Sequence, residues 1–139
     1  MRRPEGAILE VMSRRVSIYL PGFVHANPIP VASRIGSRLV SGVLTGLDPE
    51  TRQMPPTMDE QCANVFRLVR EVMAAAGGTT DDILKLTFWL AEYRDRDALN
   101  REWTVMFPDA EDRPARQVMA AQLDGGTLIQ CDLQAELTL

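Results

Sequence analysis

The chain has one histidine, His25, and two cysteines, Cys62 and Cys131, neither of them in a Cys-x-x-Cys pair. A structural zinc site draws on four Cys or His ligands, so none is expected. Two isolated cysteines in a chain able to bury a core read as reduced thiols, which points to the cytoplasm. No apolar run approaches the ~20 residues that cross a bilayer. The opening "MRRPEGAILEVM" makes a poor secretory leader: Glu10 interrupts its short apolar patch and no small-residue cleavage site follows. Clustered basic charge is missing as well. The net charge is −4, and the arginines are scattered apart from Arg2-Arg3 and Arg14-Arg15. That balance argues against a nucleic-acid groove, which needs concentrated Lys and Arg.

What is present suits one domain. At 139 residues, 45% hydrophobic and 24% charged, the composition is that of an ordinary globular protein; a domain of about this size buries roughly 70% of its unfolded surface. Residues 1–11 are expected to be a poorly ordered or peripheral extension, with Met12 an equally good start, and residues 12–139 to form the domain.

"SIYLPG" (17–22) reads as a short edge strand stopped by Pro21-Gly22. "FVHANPIP" (23–30) is a loop stiffened by prolines. "VASRIGSRLVSGV" (31–43) holds two strands around a Gly36-Ser37 turn, with Ser41-Gly42 suggesting a bulge or a close approach. A helix follows the turn-rich "LDPETRQMPP". Thr57 or Asp59 caps it, Met58, Cys62, Val65, Val69, Val72 and Ala76 form one apolar stripe, and Gly77-Gly78 ends it. In "ILKLTFWLA" (83–91), Leu84, Leu86, Phe88 and Leu90 share a buried face and Lys85, Thr87 and Trp89 the other. Asp95 or Asp97 caps a second helix with Leu99, Trp103 and Met106 as its stripe. "ARQVMAAQL" (115–123) and "LIQCDLQAELTL" (128–139) are the final strands, separated by a Gly125-Gly126 turn. Each helix joins two strands, so each unit is expected to cross over between parallel strands. The helices then lie on one sheet face in a two-layer α+β domain. The opposite face, with Thr87, Trp89, Gln130 and Asp132, has the mixed character of a subunit contact.

Several stretches together resemble one family: "RIGSRLVSGVLTGLDPETR", "EQCANVFRLVREVMAAAGGTTDDILKLTFWL", "ALNREWTVMF", "RPAR" and "LIQCDLQAEL". Their order and spacing are similar to those of the reactive intermediate deaminase (RidA/YjgF) family. The resemblance implies a chorismate-mutase-like fold: a six-stranded mixed sheet with two helices on one face, and the last strand placed mid-sheet although the Gly125-Gly126 turn alone suggests a hairpin. It implies a homotrimer with three inter-subunit clefts, no cofactor and no metal. It further implies hydrolysis of a small carboxylated imine or enamine, of the aminoacrylate/iminopropionate or the aminomuconate type, to a keto acid and ammonia. The arginine of the Pro-Ala-Arg motif, here Arg116, would hold the substrate carboxylate.

The chain departs from the family pattern twice. Gln130 stands where the family carries a glutamate near the start of the last strand; an amide orients water but cannot take its proton. "HANPIPVA" replaces the family's "GPYSQA" segment and brings His25 and Asn27. These differences leave two functions open: a deaminase with altered acid–base groups, or a non-catalytic trimeric binder of a carboxylate or keto acid.

The candidate residues follow. A guanidinium grips a carboxylate bidentately, which suits Arg116; the competing assignment is a structural ion pair with Asp132. An imidazole can exchange protons with an amine, which suits His25; the alternative is a surface loop residue. Gln130 can hold the attacking water, or bond across a subunit contact. Asn100, at a position matching the family's cleft asparagine, is either in the site or on a solvated helix face. Ser41-Gly42 can offer backbone N–H groups to an anion, or form a plain bulge. Asn27 completes the substrate-binding set. Cys62 and Cys131 are expected in the core, and Trp89 in an interface or the core rather than as a stacking platform.

Overall fold

The strongest helical stripe in the sequence forms α1, Met58–Ala75. The computed structural model describes residues 14–138, and the expected extension over residues 1–11 lies outside them. Thr57 caps α1: its hydroxyl accepts from the Glu60 N–H at 3.2 Å and donates to Glu60 Oε1 at 2.8 Å, which relieves an N-terminal donor the helix cannot satisfy itself. At the other end Gly77 takes φ +86°, open to glycine without strain, and the Gly78 N–H closes onto the Met73 carbonyl. Cys62, Val65, Val69 and Val72 are fully buried, with Phe66 and Met73 beside them.

Among the described residues seven strands form one sheet: β1 (Arg15–Ile18), β2 (Ala32–Ile35), β3 (Arg38–Ser41), β4 (Leu44–Thr45), β5 (Ile83–Leu90), β6 (Ala115–Ala120) and β7 (Ile129–Glu136). The spatial order is β1-β2-β3-β7-β5-β6, with two-residue β4 also paired to β7. Helix α2 spans Asp97–Met106. β7 runs antiparallel to both β3 and β5, so β3 and β5 are parallel across it, and β6 pairs parallel with β5. Both helical connections therefore join parallel strands, and the last strand lies mid-sheet as the resemblance implied. The Gly125-Gly126 turn makes no hairpin, because β7's two edges are taken by β5 and by β3 and β4.

Other boundaries differ from expectation. β1 begins at Arg15 and ends at Ile18; Leu20 and Phe23 form only an isolated bridge, because Pro21 supplies no N–H to extend a ladder. β2 and β3 turn at Gly36-Ser37 as expected, with Gly36 at φ +58°. Leu84 does not share the buried face with Leu86, Phe88 and Leu90. A register shift between Ile83 and Lys85 turns Leu84 out, 59% exposed, and Ile83 inward, as a bulge does. Helix α2 starts at Arg96 with no side-chain cap from Asp95 or Asp97; Asp97 in the first turn still complements the helix dipole.

The core fills the space between the helices and one sheet face. Phe66 stacks on Phe88 at 5.7 Å, Phe88 meets Trp103 edge-on at 6.4 Å, and Trp103 meets Phe107 at 4.8 Å, spacings favourable for aromatic pairs. After β4 the chain brushes α1. A Cβ on Gly46 would stand 2.5 Å from the Gln61 carbonyl oxygen, so only glycine passes there. Buried Gln61 then ties three segments together. Its Nε2 donates to the Pro55 and Gly126 carbonyls at 2.7 and 2.9 Å, and its Oε1 accepts from the Leu128 N–H at 2.8 Å. This fixes the loop that leads into β7.

Candidate functional site

Arg116 is the second residue of β6, in register with Leu86 of β5, so it lies on the helix-covered side of the sheet. Its Nη1 donates to Asn100 Oδ1 at 2.9 Å, and its guanidinium carbon lies 5.1 Å from the Trp103 ring centroid, within cation–π range. Asn100 and Trp103 both come from α2. The guanidinium is half-buried, and no carboxylate forms an ion pair with it among the described residues. Burial, and after it the charge of Arg96, press its pKa below the usual arginine value; it remains a cation at physiological pH. The alternative partner Asp132 is unavailable within the chain. It pairs with Thr87 on the opposite sheet face and takes the Trp89 Nε1–H at 3.2 Å.

The second group of candidates gathers on that opposite face. Gln130 of β7 is in register with Trp89 of β5 and Thr45 of β4. It lines a recess of about 730 Å³ together with His25, Asn27, Thr45, Asp124 and Thr127, a volume in the range of small-molecule sites. Prolines and local hydrogen bonds hold the loop above it. The Phe23 N–H reaches the Leu20 carbonyl at 3.1 Å, and the Ile29 N–H reaches the Asn27 carbonyl at 2.8 Å across Pro28. His25 packs edge-on against Phe23 at 5.2 Å, and its Nε2 is buried without a hydrogen-bond partner among the described residues. A buried polar nitrogen left unpaired is costly, so it is a natural point for a further group to bond.

The fold thus brings His25, Asn27 and Gln130 together, and separately Arg116 with Asn100. Within one chain it does not bring the two groups together, because they occupy opposite sheet faces. Ser41-Gly42 joins neither. Here β3 and β4 oppose β7 with one extra residue, since Val40 faces Gln134 but Leu44 faces Cys131. The Ser41 hydroxyl accepts from the Leu133 N–H at 2.9 Å, a donor the bulge would otherwise orphan, and donates to the Gly42 carbonyl at 2.8 Å. The Gly42 N–H goes to the Val31 carbonyl at 2.9 Å. That N–H, expected as an anion donor, is therefore engaged in the sheet, which matches a plain bulge.

Both cysteines are buried in the core. Burial pushes the Cys62 thiol up to about 12, with Glu102 adding to it, and burial likewise raises that of Cys131; neither is a poised nucleophile. Among the described residues no cluster of three or more His, Cys, Asp or Glu could hold a metal, and no helix is long and apolar enough to cross a membrane. Sequence reasoning passed over two residues. Asp132, considered only as an ion-pair partner, is the carboxylate two residues along from Gln130 on the same face. Arg96 precedes Asn100 by one helical turn, a spacing legible once Asn100 is placed on the site side of α2.

Comparison with known proteins adds a family. Residues 31–136 match the family model described as endoribonuclease L-PSP. The chain is 32% identical over 96 residues to the chloroplastic Reactive Intermediate Deaminase A of Arabidopsis thaliana, covering 66% of this chain and 50% of that protein. It is 28% identical over 94 residues to a RutC family protein of Aquifex aeolicus, covering 64% and 75%. Among solved structures, a putative endoribonuclease L-PSP from Entamoeba histolytica superposes with a TM-score of 0.78 at 26% identity, covering 88% of this chain and 99% of that one. The YjgF gene product of E. coli superposes at 0.79 with 19% identity, covering 87% and 98%; this last likeness concerns the fold alone.

Proposed function

The chain belongs to the reactive intermediate deaminase (RidA/YjgF) family, and from that premise we propose that it hydrolyses a small carboxylated imine or enamine to a keto acid and ammonia. The observation that carries the proposal is Arg116: a half-buried cation, aimed by Asn100 and backed by Trp103, with no carboxylate partner among the described residues. Such a group is prepared for a carboxylate from outside. The chain resembles the family's trimers, and in this proposal Arg116 of one subunit faces the His25–Gln130 recess of the next. That arrangement unites the two halves that one chain holds apart.

The balanced reaction is R–C(=NH)–COO⁻ plus water giving R–C(=O)–COO⁻ plus ammonia; an enamine first tautomerises to the imine. Arg116 grips the carboxylate and Asn100 keeps the guanidinium in place. Gln130 orients water against the C=N carbon. An amide cannot remove the water's proton, so that role falls to Asp132 on the same strand face or to His25. The leaving nitrogen then takes the proton. Orientation of this kind supplies up to about 7–11 kcal/mol in well-aligned systems. No cofactor enters the scheme.

A second reading, a trimeric carboxylate binder without turnover, is favoured by the amide at Gln130. The deciding experiment generates 2-iminopropionate in situ with an amino-acid oxidase and follows keto-acid release. Wild type should accelerate hydrolysis, Arg116→Ala should lose at least about 100-fold in kcat/KM, and Asp132→Asn and His25→Ala should separate the two proton carriers by their pH profiles. Absence of acceleration with this and with an aminomuconate substrate, alongside keto-acid binding that depends on Arg116, would establish the binder instead.

A further inference from the structure

A second cation, Arg96, lies on the helix face that holds Arg116. Arg96, Asn100 and Trp103 are spaced i, i+4 and i+7 from the start of α2, so they share one helix face, and Asn100 and Trp103 of that row contact Arg116 at 2.9 and 5.1 Å. Arg96 is itself held in place. Its guanidinium lies 4.3 Å from the Tyr93 ring centroid, and its Nε donates to the Tyr93 carbonyl at 3.1 Å. Burial first, and the charge of Arg96 second, lower the Arg116 pKa. Glu92, Asp95 and Asp97 flank Arg96 in sequence, yet among the described residues none forms an ion pair with Arg96 or with Arg116. With Arg96 one helical turn before the Asn100 that holds Arg116, and no ion-pair partner for either among the described residues, this side of the site carries more positive charge than a single carboxylate neutralises.

We propose that Arg96 is a second carboxylate-binding residue and that the preferred substrate is an imino dicarboxylate, its α-carboxylate on Arg116 and its distal carboxylate on Arg96. This rests on Arg116 being the carboxylate anchor of the proposed deaminase. The contacts with Tyr93 already restrict the Arg96 side chain, so less of its freedom is lost on binding, which favours selectivity. The hydrolysis itself is unchanged: water replaces NH at the imine carbon and ammonia leaves.

The test compares two imines of equal chain length made in situ from their amino acids by oxidases, 2-iminoglutarate and 2-iminopentanoate, which differ in the terminal carboxylate. A charge-assisted contact predicts a preference of about 10-fold or more in kcat/KM for the dicarboxylate in wild type. Arg96→Ala should abolish that preference, costing the dicarboxylate about 10-fold more in kcat/KM than the monocarboxylate; Arg96→Gln, which removes the charge but keeps most of the side-chain length, guards against a folding artefact. Arg116→Ala should depress both substrates. Equal turnover of the two imines by wild type, or an equal loss of both in the Arg96 variants, overturns the proposal. If neither imine is hydrolysed, an aminomuconate substrate decides the deaminase reading, and calorimetry with 2-oxoglutarate against 2-oxopentanoate decides the second site on its own. Tighter binding of the dicarboxylate that depends on Arg96 upholds it, and indifference overturns it.

Discussion

Replacing Gln61 with leucine should damage this protein more than any exposed substitution, because a single buried amide closes three backbone hydrogen bonds from two otherwise unconnected segments. Leucine has nearly the volume of glutamine, so the cavity term is small and the polar loss dominates. The Pro55 and Gly126 carbonyls and the Leu128 N–H would be left unpaired in a dry environment, each at roughly 1–3 kcal/mol. Burying an apolar side chain instead of an amide returns about 2 kcal/mol. The net is a destabilisation of about 3 kcal/mol, a large share of the 5–15 kcal/mol typical of a domain, and about 10 °C in Tm at this chain length. Urea melts at one fixed protein concentration, needed because assembly would shift the midpoint, read the value directly. Gln53→Leu, on an exposed loop, is the control and should stay within about 0.5 kcal/mol. A loss below about 1 kcal/mol for Gln61→Leu would refute the argument, since it would mean that water or local movement satisfies those groups. Asp124 and Thr127 lie beside the tethered Gly126–Leu128 segment and line the recess, so ligand affinity there should weaken with stability.

Two other expectations are open to direct measurement. Cys62 and Cys131 hold their protons in the folded state to higher pH than the ~8.5 of a free thiol. Stability is therefore flat in these groups below about pH 8.5 and falls above it, as the unfolded chain sheds protons the folded chain keeps, by about 1.4 kcal/mol per pH unit for each thiol. Urea midpoints of reduced protein from about pH 8 to about pH 10.5 should fall less steeply in Cys62→Ala/Cys131→Ala than in wild type; parallel slopes would contradict this. If the site is shared between subunits, inactive Arg116→Ala and Gln130→Ala chains, mixed by co-refolding, should regain about a quarter of wild-type activity, the fraction of random pairings that unite two intact halves. No recovery would refute a site shared between subunits.

The elements were legible where one local pattern ruled. The α1 stripe, the Thr57 cap and the Gly77 stop agree with one another, and the alternation of β7 sorts its residues correctly onto two faces. What was not legible depended on contacts far apart in sequence. The shift that turns Leu84 outward arises where β5 meets β7 some fifty positions later. The Ser41 hydroxyl serves a donor on Leu133, so its apparent availability to an anion was a property of the isolated segment. Gly125-Gly126 carries every mark of a hairpin turn, and local chemistry alone would have paired β6 with β7. It was the family resemblance, and not the residues, that placed β7 between β3 and β5.

The same limit explains the site. Period two tells which residues of one strand share a face, but the relation between strands is set by register, and a one-residue difference inverts it. Arg116 lies level with Leu86, and Gln130 lies level with Trp89. Since 86 and 89 differ by an odd number, the two residues must project to opposite faces however the side chains rotate. A single chain of this topology cannot close a carboxylate anchor and a water-holding amide around one small molecule. Either a second copy supplies the other half, or Arg116 and the recess serve different ligands. Arg96 sharpens that choice, because a paired guanidinium site on the helix side is suited to a ligand with two negative charges whether or not the recess of a neighbour completes it.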